Sequence, residues 1–137
     1  EELFSTVRGK GVYLNGKKLS VSSIRDISRS LLATGFPYDI RESRENNLDY
    51  FSRMAVNVQA IRRAGAAALD LAYLAAGRFD GFWELKLKPW DTAAGCLMVE
   101  EAGGSVSDLA GKPWNISSPS VLASNGFIHK KMIRIFR

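Results

Sequence analysis

Residues 79 to 107 constrain the fold more than any other stretch, because a strand pattern, a helix pattern and a second strand pattern follow almost without a gap. "FDGFWELKL" alternates Phe82, Glu84 and Lys86 against Trp83, Leu85 and Leu87, the period of a strand with one buried face. Helical spacing takes over from Pro89 through Ala93, Ala94, Leu97, Met98 and Ala102, until Gly103 and Gly104 end it. "GSVSDL" then reads as the next strand. Strands joined by a helix of this length imply an α/β fold: a layered sandwich with a largely parallel sheet flanked by helices.

The rest of the chain extends this scheme. "GVYLNGKKLSV" centres on Asn15-Gly16, the dipeptide that best supplies the positive backbone angles of a tight turn, so residues 11 to 21 are expected to form a β-hairpin. "SLLATGF" is a short apolar run closed by glycine and proline, the mark of a buried strand. Leu48, Phe51, Ala55 and Val58 recur at helical spacing within residues 42 to 58. A second helix is expected over 66 to 76, with Leu69, Ala72, Tyr73 and Ala76 on one stripe and Gly77 as its stop. "SVLASNG" supplies another strand, and residues 126 to 136 a closing helix. On that helix Ile128, Met132, Ile133 and Phe136 would pack inward while His129, Lys130, Lys131, Arg134 and Arg137 face water.

Composition excludes several classes. At 137 residues, with 46% hydrophobic and 24% charged residues, the chain suits one globular domain with its own core. No apolar run reaches the ~20 residues of a membrane span, and "EELFSTVRGKG" lacks the plan of a signal peptide, so the cytoplasm is the expected compartment. The single cysteine, Cys96, sits among apolar residues and reads as an inert core thiol. A net charge of +5, from 19 basic residues against 14 acidic, suits anionic partners. Most of the basic residues are scattered, the basic C-terminal segment reads as a solvated helix face, and no stacking aromatics interleave with its charges, so nucleic acid is not the expected partner.

One acidic residue stands out. Asp91 falls at the junction of a strand and a helix N-terminus, where open α/β sheets collect ligands and the first helical turn offers free N–H groups. Two readings are open: a plain helix cap worth about 1 kcal/mol, or part of a site. Trp90 could wall such a site, Ala93 and Ala94 leave space beside the acid, and Glu84 lies seven residues upstream on the preceding strand. Two carboxylates near a strand end could bind a metal or hydroxyl groups.

Four ordered blocks, "GKGVYLNGKKLSVS", "RRAGAAALDLAYLAAGRFDGFWELKLKPWD", "WDTAAGCLMVEEAGG" and "SVLASNG", resemble successive segments of the inositol monophosphatase family, nearest to its bacterial branch. The resemblance covers practically the whole chain and implies the second half of that fold. It also implies a Mg²⁺-dependent phosphatase for inositol 1-phosphate or a related polyol phosphate monoester. In that reading the aspartate matching Asp91 is catalytic, binding metal and contacting substrate. Glu84 takes a sugar-alcohol hydroxyl, and Gly65, Ala66 and Ala67 line the substrate ring. These roles agree with the chemistry, since a polyol needs acceptors for its hydroxyls and Mg²⁺ needs hard oxygen ligands.

Two departures shape the expectation. Ala66 stands where many relatives have serine or threonine, which removes a hydroxyl contact. The family's other magnesium ligands, a glutamate pair and an Asp-x-(Ile/Leu/Val)-Asp-Gly-Thr motif, have no counterpart: "FDGFWE" shares only Asp-Gly, and Glu1 and Glu2 are not in the right block. Residues 1–137 are therefore expected to be the C-terminal α/β domain, with the N-terminal metal-binding half as its partner, an exposed apolar surface between them and a homodimer when complete. Alternatives within the superfamily are phosphatases of fructose 1,6-bisphosphate or adenosine 3',5'-bisphosphate. A basic interaction module without catalysis is the alternative from another class.

Overall fold

Asn15 and Gly16 both adopt positive φ, 49° and 80°, and turn the chain between strands β2 (Val12–Leu14) and β3 (Lys17–Lys18) as the dipeptide requires. A further strand, β1 (Phe4–Thr6), pairs antiparallel with β2, so the expected hairpin is part of a three-stranded sheet. The computed structural model describes all of residues 1–137.

The main sheet holds β4 (Leu31–Thr34), β5 (Ala60–Arg62), β6 (Gly81–Leu85), β7 (Ser105–Ser107) and β8 (Ser120–Ser124), in the spatial order β5-β4-β6-β8-β7. β4 runs parallel to both β5 and β6. β6 and β7 also point the same way, as their intervening helix demands, but β8 lies between them and antiparallel to both. The layered α/β architecture is as expected, and its sheet is mixed, with parallel and antiparallel pairings in equal number. The difference arises because residues 108 to 119 form a turn-rich return without a helix, which lets β8 come back beside β7.

Helices cover both faces of the sheet. α2 (Ala67–Ala75) and α3 (Pro89–Glu101) pack on the face that carries Phe82, where Leu71, Leu74, Cys96 and Val99 complete the core. α1 (Leu48–Ala55) and α4 (His129–Phe136) pack on the other, around Trp83, Met54, Met132 and Phe136. β6 is thus buried along its whole length, and the one-faced strand expected from its alternation is corrected to a central one. A central strand in a three-layer sandwich meets helices on both sides, whatever its sequence period.

The helices differ from their expected stripes in instructive ways. α1 starts only after Asn47, whose φ of 72° cannot continue a helix, and buries Met54 while Leu48 and Ala55 are exposed. Asn47 is held there by its side chain, which donates to the Gly35 carbonyl and the Thr34 hydroxyl and accepts the Trp83 indole N–H at 2.6 Å. α2 buries Asp70, Leu71, Ala72, Leu74 and Ala75, so Leu69 is on the exposed side instead of the core stripe. In α4 His129 is buried instead of solvated: its ring nitrogens bond the Ser107 and Ser124 hydroxyls, each at 2.9 Å. Ile128, Met132 and Phe136 face inward as expected, with Lys130, Lys131 and Arg134 in water. Cys96 is buried, and desolvation pushes its thiol up to about 12, consistent with an inert core residue. No helix is long and apolar enough to cross a membrane.

Candidate functional site

Three chain segments converge where the parallel pair β4 and β6 ends. After β4 come Gly35 to Asp39; Gly65 to Ala67 lead into α2; and Lys86 to Lys88 join β6 to α3. Together they line a cleft of about 530 Å³. This is the carboxyl edge of parallel strands, where an α/β sheet leaves room for ligands.

Glu84 enters the cleft from β6, one residue before the strand ends, on the same face as Phe82 and hence toward α2 and α3. It is buried, and its carboxyl occupies the space beside Gly35 that a side chain would otherwise fill: a Cβ there would overlap both carboxylate oxygens. Burial, then the negative charges of Asp70 and Asp91, push the Glu84 pKa up to about 7, while Arg63 pulls it back. Near neutrality this carboxyl is available both as acceptor and as donor of a hydrogen bond.

Asp91 lies at the third position of α3, three residues after the cap residue Lys88, so it bonds back to the cap instead of being the N-cap itself. Its Oδ2 accepts the Lys88 backbone N–H at 2.9 Å, which leaves Oδ1 for another partner. Both readings of Asp91 therefore hold in part: it braces the helix start and lines the cleft. Trp90 and the two alanines do not fulfil their expected parts. Trp90 is 78% exposed and outside the cleft, and Ala93 and Ala94 face solvent with it, because residues three and four apart on a helix share one face and here that face is the outer one.

Gly65, at φ 88°, turns the chain into α2, and Ala66 in the cap position offers no side-chain acceptor. The first-turn N–H groups of α2 thus face the cleft without a side-chain cap, a suitable place for anionic oxygens. Gly65, Ala66, Ala67, Glu84 and Asp91, named from sequence, all line one cleft.

Sequence reasoning missed Asp70, Arg63 and Lys86. Asp70 lines the same cleft from the first turn of α2, is 1% exposed, and its Oδ1 has no hydrogen-bond partner. Burial pushes its pKa up to about 6. A lone aspartate in the apolar run "AALDLAYLAA" was the available signal. Lys86, at φ 59°, reaches across the mouth to Asp39 Oδ2 at 2.7 Å and Ser43 Oγ at 2.9 Å, tying down the segment after β4.

The donor set fits a hard dication only in part. Asp91 supplies one free carboxylate oxygen, yet no three His, Cys, Asp or Glu residues are arranged to hold a metal. Any such ion needs further ligands from outside this chain. The cleft lining does combine carboxyl acceptors for hydroxyl groups with the uncapped start of α2 and the cations of Arg63, Lys86 and Lys88.

Comparison with known proteins is consistent along the whole length. The model of the inositol monophosphatase family matches residues 1–137. Nus factor SuhB of Escherichia coli is 43% identical over 136 residues, 99% of this chain and 51% of the relative. The inositol-1-monophosphatase of Synechocystis is 42% identical over 132 residues, 96% of this chain and 46% of the relative. The structure of an inositol monophosphatase from Anabaena superposes with a TM-score of 0.96 at 44% identity, over 98% of this chain and 54% of that one. The chain thus spans about half the length of the curated relatives it matches.

Proposed function

The chain belongs to the inositol monophosphatase family, and we propose that it forms the substrate-recognising half, with one metal ligand, of a Mg²⁺-dependent phosphatase for inositol 1-phosphate or a related polyol monophosphate. The observation that carries this reading is the convergence of Gly65, Ala66, Ala67, Glu84 and Asp91 on one cleft from three separated segments. Glu84 receives a ligand hydroxyl; the first-turn N–H groups of α2 and the cations of Arg63 and Lys88 receive phosphate oxygens. Asp91 would hold the metal with the carboxylate oxygen that its bond to Lys88 leaves free, since its Oδ2 accepts the Lys88 N–H and that bond orients the carboxylate. Bound Mg²⁺ would neutralise phosphate charge and favour ionisation of an attacking water. The further carboxylates it needs come from the N-terminal half, for which this chain is the C-terminal partner.

In the complete protein, a cytoplasmic homodimer on this reading, phosphate release from inositol 1-phosphate is expected only with Mg²⁺ present. Undiminished turnover after thorough chelation would overturn the proposal. A second reading, an interaction module that does not need catalysis, is favoured by the relatives named Nus factor and by the exposed Lys130, Lys131 and Arg134 on α4. Salt-sensitive binding to an acidic partner by a protein devoid of phosphatase activity would select it.

A further inference from the structure

Asp70 lines the cleft, and the roles above leave it unused. Its side chain is almost wholly buried, and an unpartnered oxygen so placed costs free energy unless something supplies a hydrogen bond. No group of this chain does so, although Ser, Thr and Asn side chains elsewhere in its core are satisfied. The carboxyl also lies in the first turn of α2, three residues after Ala67, and sits close enough to Glu84 to repel its charge. Resting on the phosphatase reading above, we propose that Asp70 and Glu84 together form a two-carboxyl receptor for adjacent hydroxyl groups of the ligand, with Asp70 as a specificity-determining residue.

The chemistry favours a diol over a single hydroxyl or a second cation. A cation between the two would need more oxygen ligands than this wall offers, and no such set is present. A vicinal diol brings two O–H donors on neighbouring carbons, one for each carboxyl, and satisfies the oxygen that the protein leaves open. A site with a buried polar group left unpaired rejects ligands that lack the matching hydroxyl. The cost of burying Asp70 in the free protein is then recovered as selectivity when the diol is bound.

The test uses the complete protein with Asp70→Leu, which keeps side-chain size but offers no acceptor, and Asp70→Asn, which keeps an acceptor. Two readouts apply: kcat/KM for inositol 1-phosphate relative to p-nitrophenyl phosphate, and the affinity for free myo-inositol by NMR titration. The expected result is that Asp70→Leu lowers the kcat/KM ratio and the myo-inositol affinity by about tenfold or more, while Asp70→Asn stays within about threefold of the unaltered protein. Should Asp70→Leu not fold, Asp70→Ala is held to the same expectation. Equal losses on both esters, or unchanged myo-inositol affinity, would overturn the proposal and leave Asp70 a structural residue. Failure of the unaltered protein to hydrolyse either ester would instead defeat the phosphatase reading, and the myo-inositol titration would still decide the role of Asp70.

Discussion

Gly35 is the most informative position to perturb, because it makes room for Glu84 without touching the cleft chemistry itself. Its backbone does not need positive φ, so alanine is conformationally allowed there and restricts the unfolded chain, a gain of about 0.4–1 kcal/mol. The new methyl would nevertheless sit more than about 1 Å inside contact distance of the Glu84 carboxyl. β6 is hydrogen-bonded on both sides, so the side chain moves and the strand does not. The open cleft receives the displaced carboxyl, and leaving a buried place costs an ionisable group little. Gly35→Ala is therefore expected to change stability by less than about 1 kcal/mol, within roughly 4 °C in Tm. A displacement of this size costs on the order of a hundredfold in kcat/KM for the polyol ester in the complete protein. The Glu84 pKa, about 7 in the native protein, should fall toward the usual carboxylate range, as followed by carbon-13 NMR of its carboxyl. Unchanged polyol kinetics with an unmoved pKa, or a Tm drop beyond about 10 °C, would refute the reasoning.

Asp91→Asn retains an oxygen for the Lys88 N–H and removes the charge a dication requires, so Tm should hold within a few degrees while activity of the complete protein falls by orders of magnitude. Near-normal turnover would reduce Asp91 to a helix brace. His129 offers a separate test of the core: burial holds its imidazole at about 4, down from the ordinary 6.5. The unfolded chain takes up that proton first, so stability is lost as pH falls from 6.5 to about 4, by roughly 3 kcal/mol. His129→Gln, although less stable at pH 7, should lack that step when urea midpoints are compared at pH 7 and pH 4.5. A step of equal size in both proteins would place the acid sensitivity elsewhere.

Local signals determined a large share of this protein. Asn15-Gly16 dictates its turn by backbone sterics, Pro89 and the Gly103-Gly104 pair bound α3, and the run "LLAT" is a strand in any context that buries it. The cleft residues were legible because Glu84, Asp91 and the Gly65–Ala67 turn lie in ordered blocks with a family pattern. What the sequence could not specify were quantities set by partners distant along the chain. β6 alternates like a one-faced strand, yet both faces are covered once α1 and α4 close over Trp83. Asn47 sets where α1 begins because Trp83, 36 residues away, claims its side chain. His129 looked solvated until β7 and β8 supplied serines to its two nitrogens. The same holds at the site: helical periodicity fixes the angle between residues of α2 but not which side meets the sheet, and only tertiary packing turned Asp70 inward beside Glu84, where an unpaired carboxyl oxygen acquires an energetic consequence.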